Sequence, residues 1–367
     1  MLSANSATIK SVFATARDGD KIVLTGVFGR TKLDNRSFAK GLIIDAYKAS
    51  FGGQLTMTSV AGVTVRGGLF GHAPGDWQNG LTVRVDFGDR ISFVNSNFVG
   101  AGIGRETGLG FRQSTNISVT NSRFTGLRLG IGIGSVTNAT LTSNTFFKST
   151  SDGINIADSH NVTARSNLCK GGSPSFGAHP DCIQLWSLTD RPMQSDIQLL
   201  NNKAFGYTQG FTSFDPDAAS GRRISMIGNW VETSAPQGIA CYGCFDSVIS
   251  NNTLLTIPGS RWRTNLNVLG GANNIVASNN FGPFVKPKPL ATNFSRIDGP
   301  YSQAMTAFTA DAGPDFDFGA PTMRYDETFA AFGTAAAIPE PAVWLQLIFG
   351  LGCAGVLIRQ RRTMATA

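Results

Sequence analysis

Asn116-Ile117-Ser118-Val119-Thr120-Asn121 comes back as Asn138-Ala139-Thr140-Leu141-Thr142-Ser143-Asn144, and again as Asn161-Val162-Thr163-Ala164-Arg165-Ser166-Asn167. Each copy places an apolar residue at every second position, the period of a β-strand with one buried and one open face. Outward from this block the same pattern restarts at Gly62, Arg90, Asp196, Arg223, Asp246 and Asn274, with start-to-start spacings of 22 to 35 residues. Asn or Gly follows at a nearly constant offset (Gly68, Asn121, Asn144, Asn167, Asn202, Asn229, Asn252, Asn280). We read it as a strand-ending residue able to take the left-handed conformation. A second alternating strand lies between successive copies: Leu81-Thr82-Val83-Arg84, Leu109-Gly110-Phe111-Arg112, Ile131-Gly132-Ile133-Gly134 and Ile154-Asn155-Ile156-Ala157. It continues as Ile183-Gln184-Leu185-Trp186, Phe211-Thr212-Ser213-Phe214, Ile239-Ala240-Cys241-Tyr242 and Leu266-Asn267-Val268-Leu269. Strands that keep their length while the connections vary are coils of a solenoid, because extra residues bulge outward without disturbing the stack.

The fold class is therefore all-β, and the pattern resembles the parallel β-helix of pectate-lyase-like proteins over about residues 20 to 285. The resemblance implies a right-handed, single-stranded solenoid. It also implies a carbohydrate substrate class, without fixing a chemistry. Composition agrees with a compact β-rich chain: 43 Gly, 41% hydrophobic and only 15% charged residues argue against a coiled coil, a charged bundle or a highly charged disordered chain. Five Cys and three His exclude a disulfide scaffold and a His-rich metal site at this length. The formal charge of +7 favours an anionic partner. Nucleic acid is not expected, since the excess is modest and part of it sits in Arg359 to Arg362.

Four segments follow: a cap (1–20), the parallel β-helix (21–290), a C-terminal extension or linker (291–337) and a terminal segment (338–367). Within the cap, Ile9, Val12, Phe13 and Ala16 have helical spacing, which predicts a helix from Ala7 to Asp18 covering the open end of the core. In the terminal segment, Pro339-Glu340-Pro341 precedes 17 uncharged residues, Ala342 to Ile358, and then Arg359-Gln360-Arg361-Arg362. Such a stretch just reaches membrane-spanning length as a hydrophobic helix, with the Arg cluster at its cytoplasmic end. This segment resembles the PEP-CTERM sorting signal. The resemblance implies a Gram-negative bacterium, export to the cell surface or matrix, an exosortase-type sorting machinery, cleavage near Pro-Glu-Pro and a link to extracellular polysaccharide. No secretory apolar stretch precedes the cap, so a truncated start is expected.

In the second strand's register, one outward column reads Arg84, Arg112, Gly134, Ala157, Trp186, Phe214, Tyr242, Leu269. Arginines for sugar carboxylates, a floor of small residues and aromatic faces for sugar rings suit an acidic polysaccharide; the same aromatics also suit packing beneath long loops. The neighbouring column, with Asn155 and Gln184, offers amides for sugar hydroxyls, or ordinary solvent-facing strand residues.

Asp152 and Asp181 occupy equivalent places on adjacent coils. Two carboxylates about 5 Å apart either share a proton or hold a cation such as calcium; the plain alternative is a pair of turns entering strands. His179 ends the largest insertion beside them and is the candidate base, while Asp215, one coil on, is a further candidate carboxylate. His72 and His160 fall in loop-like stretches. Cys169 and Cys182 flank the insertion and suit a bridge, and Cys241 and Cys244 suit either a pair or plain core. Three outcomes stay open: a lyase using His179, a glycosidase using two of Asp152, Asp181 and Asp215, or a non-catalytic surface binder. A monomer is expected.

Overall fold

The computed structural model describes residues 1–71, 80–100, 106–172, 180–187, 193–214, 221–269, 272–282, 284–285 and 292–297. They form an all-β parallel solenoid of about nine turns. Every pairing in it is parallel and joins a strand to one in a neighbouring coil, as in Ile131↔Leu109 and Ile131↔Ile154, then Ile154↔Ile183 and Ile183↔Phe211. Each coil holds three strands where alternation indicated two. The first sheet runs from Leu81–Asp86 to Asn265–Leu269, the second from Asp89–Val94 to Asn273–Ser278, and the third from Leu69–Gly71 to Thr253–Thr256. The third went unread because most of its strands are only three or four residues long, too short to show a period.

Two internal stacks hold the coils together. Phe28, Phe51, Phe70, Phe98, Phe124 and Phe146 stack face to face at 4.5 to 5.0 Å between centroids. Burial of each ring contributes about 1.5–3 kcal/mol. Beyond Phe146 the column continues as Cys169 and Ala204, and Cys169 is bridged to Cys182. A second bridge joins Cys241 to Cys244, both buried.

The other stack is polar. Asn144, Asn167, Asn202, Asn229 and Asn252 are almost fully buried, and the half-buried Asn280 ends the row. Each Oδ1 accepts the backbone N–H of the ladder residue one coil earlier, as from Asn167 to Asn202 at 2.9 Å, and each Nδ2 donates to a backbone carbonyl, as from Asn202 to Ala164 at 2.8 Å. These asparagines therefore point inward and are not the left-handed residues. That conformation belongs to the preceding position: Ser143, Ser166, Asn201, Asn251 and Asn279 have φ of 53° to 56°. Of the offset residues read from sequence, Gly68 and Asn121 take positive φ. The repeats themselves open on left-handed residues, with φ of 54° to 62° at Asn116, Asn138 and Asn161.

At the start, Leu2–Ala4 is already a strand paired with Lys21–Phe28, and the helix spans Ile9–Thr15, shorter than its periodicity suggested. It buries Ile9 and Phe13, and Phe13 meets Phe38 edge-on at 5.7 Å. Pairing continues past residue 290, since Thr292–Ile297 adds to Asn273–Ser278. Among the described residues no helix is long and apolar enough to cross a membrane. The stretch Ala342 to Ile358 lies outside them.

Candidate functional site

The outer side of the first sheet carries the non-repeating chemistry. Pairing fixes its columns. Asp86 stands opposite Arg112, Arg112 opposite Gly134, Gly134 opposite Ala157 and Ala157 opposite Trp186, with Phe214 opposite Tyr242 further along. Arg84 belongs one column over, opposite Gly110, in the row that also holds Gly132, Asn155, Gln184 and Thr212. The sequence reading slipped this strand by two residues. A slip of two leaves every side chain on its own face, so alternation alone does not detect it.

Asp152 and Asp181 lie one before Gly153 and Cys182, directly ahead of the paired Ile154 and Ile183, so the two carboxyls sit on successive coils. Both are buried, at 6% and 1% exposure. Asp152 Oδ1 accepts the Asp181 backbone N–H at 3.1 Å, and its Oδ2 accepts Asn155 Nδ2 at 3.2 Å. Asn155 Nδ2 also donates to Gln184 Oε1 at 2.9 Å, while Asn155 Oδ1 accepts Trp186 Nε1 at 2.6 Å. An indole N–H only donates, so Trp186 sets the orientation of the Asn155 amide, and Asn155 in turn sets Gln184. The result is one bonded unit, Trp186–Asn155–Asp152–Asp181. Ala157, the strand partner of Trp186, is 6% exposed although it is on the outer side. Both Nδ2 hydrogens of Asn155, a candidate for sugar contact, are donated within the protein, and its Oδ1 accepts the Trp186 indole. Among the described residues the Gln184 amide nitrogen is the donor this unit leaves open.

Toward the amino-terminal coils the face changes character. Gly134 would admit a Cβ with nothing within 4 Å, and at Gly132 only a Leu129 methyl comes close, at 3.2 Å. Beyond this low floor Arg112 is exposed and makes no ion pair among the described residues, whereas Arg84 Nε binds the largely buried Asp86 at 2.5 Å. Arg112 and Trp186 are three coils apart, about 14 Å. Toward the carboxy-terminal coils, the Tyr242 hydroxyl and the Gln237 amide exchange hydrogen bonds at 2.9 and 3.0 Å, and Gln237 Oε1 also accepts Asn267 Nδ2 at 2.9 Å. Burial pushes the Tyr242 phenol above its ordinary value, against the smaller opposing effect of Gln237. It therefore stays protonated at neutral pH.

His179, Asp215, His72 and the Phe214 side chain lie outside the described residues. His160 opens a strand of the second sheet, away from this site, with Nδ1 3.1 Å from Ser195 Oγ. Calcium fits the described donors poorly. It takes six to eight oxygens, while both Asp152 oxygens already receive N–H groups, and no group of three or more His, Cys, Asp or Glu residues suited to a metal occurs among the described residues. Sequence reasoning paired the two aspartates but did not find the Asn155 link, which depends on side chains reaching between coils.

A family model for the right-handed beta helix region matches residues 58–254, more than half of the chain. The chain belongs to this right-handed β-helix family. No curated protein matches its sequence. Among solved structures it is similar to an alginate lyase from Paenibacillus sp. str. FPU-7, with 14% identity, a TM-score of 0.55 and coverage of 81% of this chain and 99% of that one. It is also similar to a polygalacturonase from Erwinia carotovora ssp. carotovora, with 15% identity, a TM-score of 0.44 and coverage of 80% and 96%. A surface adhesin of Streptococcus pneumoniae, PfbA, matches with 11% identity, a TM-score of 0.46 and coverage of 77% and 78%. At such identities the likeness is one of fold.

Proposed function

We propose that this β-helix protein is exported and acts on an acidic polysaccharide lying along the first sheet, with Trp186 as ring platform and Arg112 as partner for a sugar carboxylate. The observation that carries this reading is the bonded unit itself, since Asn155 ties the aromatic platform to the Asp152 carboxyl, which also holds the Asp181 backbone N–H. A platform coupled to acids suits glycan chemistry better than either feature alone. Asp152 acts as a bracket, because its oxygens hold Asn155 and the Asp181 N–H, and we assign the acid role to Asp181. With His179 as base the reaction is elimination: the proton next to the uronate carboxylate goes to His179, and Asp181 protonates the leaving oxygen. In hydrolysis, Asp181 and a second carboxyl, Asp152 or Asp215, divide the acid and the base or nucleophile roles, and the carboxyl separation sets the stereochemistry. The PEP-CTERM-like segment supports export and surface sorting.

A second reading is favoured by the burial of both carboxyls: a surface protein that binds acidic glycan through Trp186 and Arg112 and performs no chemistry on it. One experiment separates the readings. The chain is incubated with polymannuronate, polyguluronate, polygalacturonate and a glucuronate-containing exopolysaccharide, and unsaturated-uronate absorbance and new reducing ends are followed. Absorbance that disappears in His179→Ala establishes elimination, and reducing ends alone that disappear in Asp181→Asn establish hydrolysis. Glycan retention without either product establishes the binder. Absence of both products and retention refutes the proposal.

A further inference from the structure

At the turn that ends the strands of the first sheet, the chain adopts the left-handed conformation in five successive coils. Ser59, Phe87, Gln113, Ser135 and Asp158 have φ of 53°, 54°, 48°, 55° and 47°, and Thr58↔Asp86↔Arg112↔Gly134↔Ala157 makes these positions equivalent. The stack repeats this backbone from coil to coil through these five turns. Short polar residues bear it with the least strain, and a bulky aromatic is the residue type least suited to it. Phe87 nonetheless occupies the position. Packing does not repay the strain, because the ring is 54% exposed. An unfavourable side chain held at a strained position without burial is the signature of a residue kept for contact with something else.

Its surroundings indicate what. The Phe87 N–H donates to the Arg112 carbonyl at 3.0 Å, so the exposed Phe87 and the exposed Arg112 stand on neighbouring coils at the same edge of the first sheet, with the Arg84–Asp86 pair just ahead of Phe87. An exposed aromatic on the coil next to a guanidinium that makes no ion pair among the described residues is complementary to a sugar ring bearing a carboxylate. Phe87 lies four coils from Trp186, about 19 Å, across the Gly132 and Gly134 floor.

We propose that Phe87 is a second sugar-stacking platform, so that the face engages an extended acidic glycan at two separated points. This rests on the polysaccharide reading above and deepens it. Short oligouronates reach only one platform, whereas long ones bridge both and gain affinity through Phe87.

The test titrates the full chain with size-fractionated oligouronates from the same polymers, following Trp fluorescence and heat of binding. Phe87→Ala and Phe87→Asn are expected to weaken binding of long oligouronates about tenfold, the equivalent of about 1.4 kcal/mol, with short ones unchanged. Phe87→Trp is expected to retain affinity. Phe87→Asn also guards against misfolding, since Asn tolerates the left-handed backbone and should leave Tm unchanged or raised. Trp186→Ala should weaken short and long ligands alike. Equal loss at every length in the Phe87 variants, or no loss while Trp186→Ala still abolishes binding, overturns this inference alone. No binding of any polymer by the unaltered chain overturns the polysaccharide reading along with it.

Discussion

The buried asparagine ladder and the Trp186 network both use asparagine amides to join coils at the same spacing, yet only the ladder repeats. In the ladder, each asparagine from Asn144 to Asn252 repeats one pattern, with Oδ1 on the N–H of the coil before and Nδ2 on a backbone carbonyl. On the outer face, the linkage Trp186–Asn155–Asp152–Asp181 occurs once. A polar group that recurs in every coil answers a need of every coil, namely a buried backbone that must be paired. The outer cluster does pair one buried N–H, that of Asp181, but its indole and Asn155 amide occur on two coils only and meet no need that every coil shares. Repetition in a solenoid thus marks structure, and departure from it marks the place to look for function.

The sharpest way to break this comparison is Asn202→Ala. It strips the buried Asn167 N–H of its acceptor and Ala164 of a donor, and an unpaired buried group costs about 1–3 kcal/mol. A loss of about 3–4 kcal/mol in urea unfolding is expected, without direct loss of glycan contacts. Reduction of Cys169–Cys182 should come next, at about 2–3 kcal/mol for a loop of this length. Because Cys182 directly follows Asp181, reduction should also weaken glycan binding or turnover, which a ladder variant does not. Gly134→Tyr tests the converse. Nothing lies within 4 Å of a Cβ there, so stability measured by thermal unfolding should hardly change, while binding of acidic glycan falls about tenfold or more. If Gly134→Tyr unfolds the protein, the floor is structural and the contrast between the two regions fails.

Much of this was legible in the amino-acid chain, for a physical reason: alternation reports which face a residue uses. It placed Ile131, Ile154, Ile183, Phe211 and Ile239 in one inward column, as the pairing has them. What alternation does not encode is displacement by an even number of residues, and Arg84 was assigned to the wrong column on that account. Nor does it separate a residue that bends the chain from its neighbour that the bend aims inward, which is how Asn144 was taken for the left-handed residue in place of Ser143. For the site, the coil equivalence of Asp152 and Asp181 follows from spacing. The bridging by Asn155 does not, because it depends on how far side chains reach once the coils are stacked. Phe87 carried no periodic signal at all; its oddity is visible only against the φ angles of the equivalent turns.

The smallest effect expected comes from the exposed counterpart of the ladder, on the second sheet. There Asp196 is gripped by Arg223 at 2.6 and 2.7 Å and by Ser195 Oγ at 2.7 Å, one coil linked to the next. The Arg223 guanidinium, with Ser195 adding to it, holds the Asp196 carboxyl down at about 2, against an ordinary 3.8. A carboxyl with a depressed folded value binds its proton less readily than in the unfolded chain. Its contribution is therefore complete above about pH 4 and disappears as pH falls toward 2. Both partners are nearly half exposed, at 49% and 45%, so solvent screens most of the attraction. Asp196→Asn should accordingly lower Tm by only about 1–2 °C at neutral pH, with the difference vanishing near pH 2 and shrinking in high salt. Asn202→Ala should show its full deficit across the same pH range, because no group in the buried ladder titrates. An Asp196→Asn deficit as large and as independent of pH as that of Asn202→Ala would mean that this exposed link supports the stack as the interior ladder does, and burial would no longer distinguish the two.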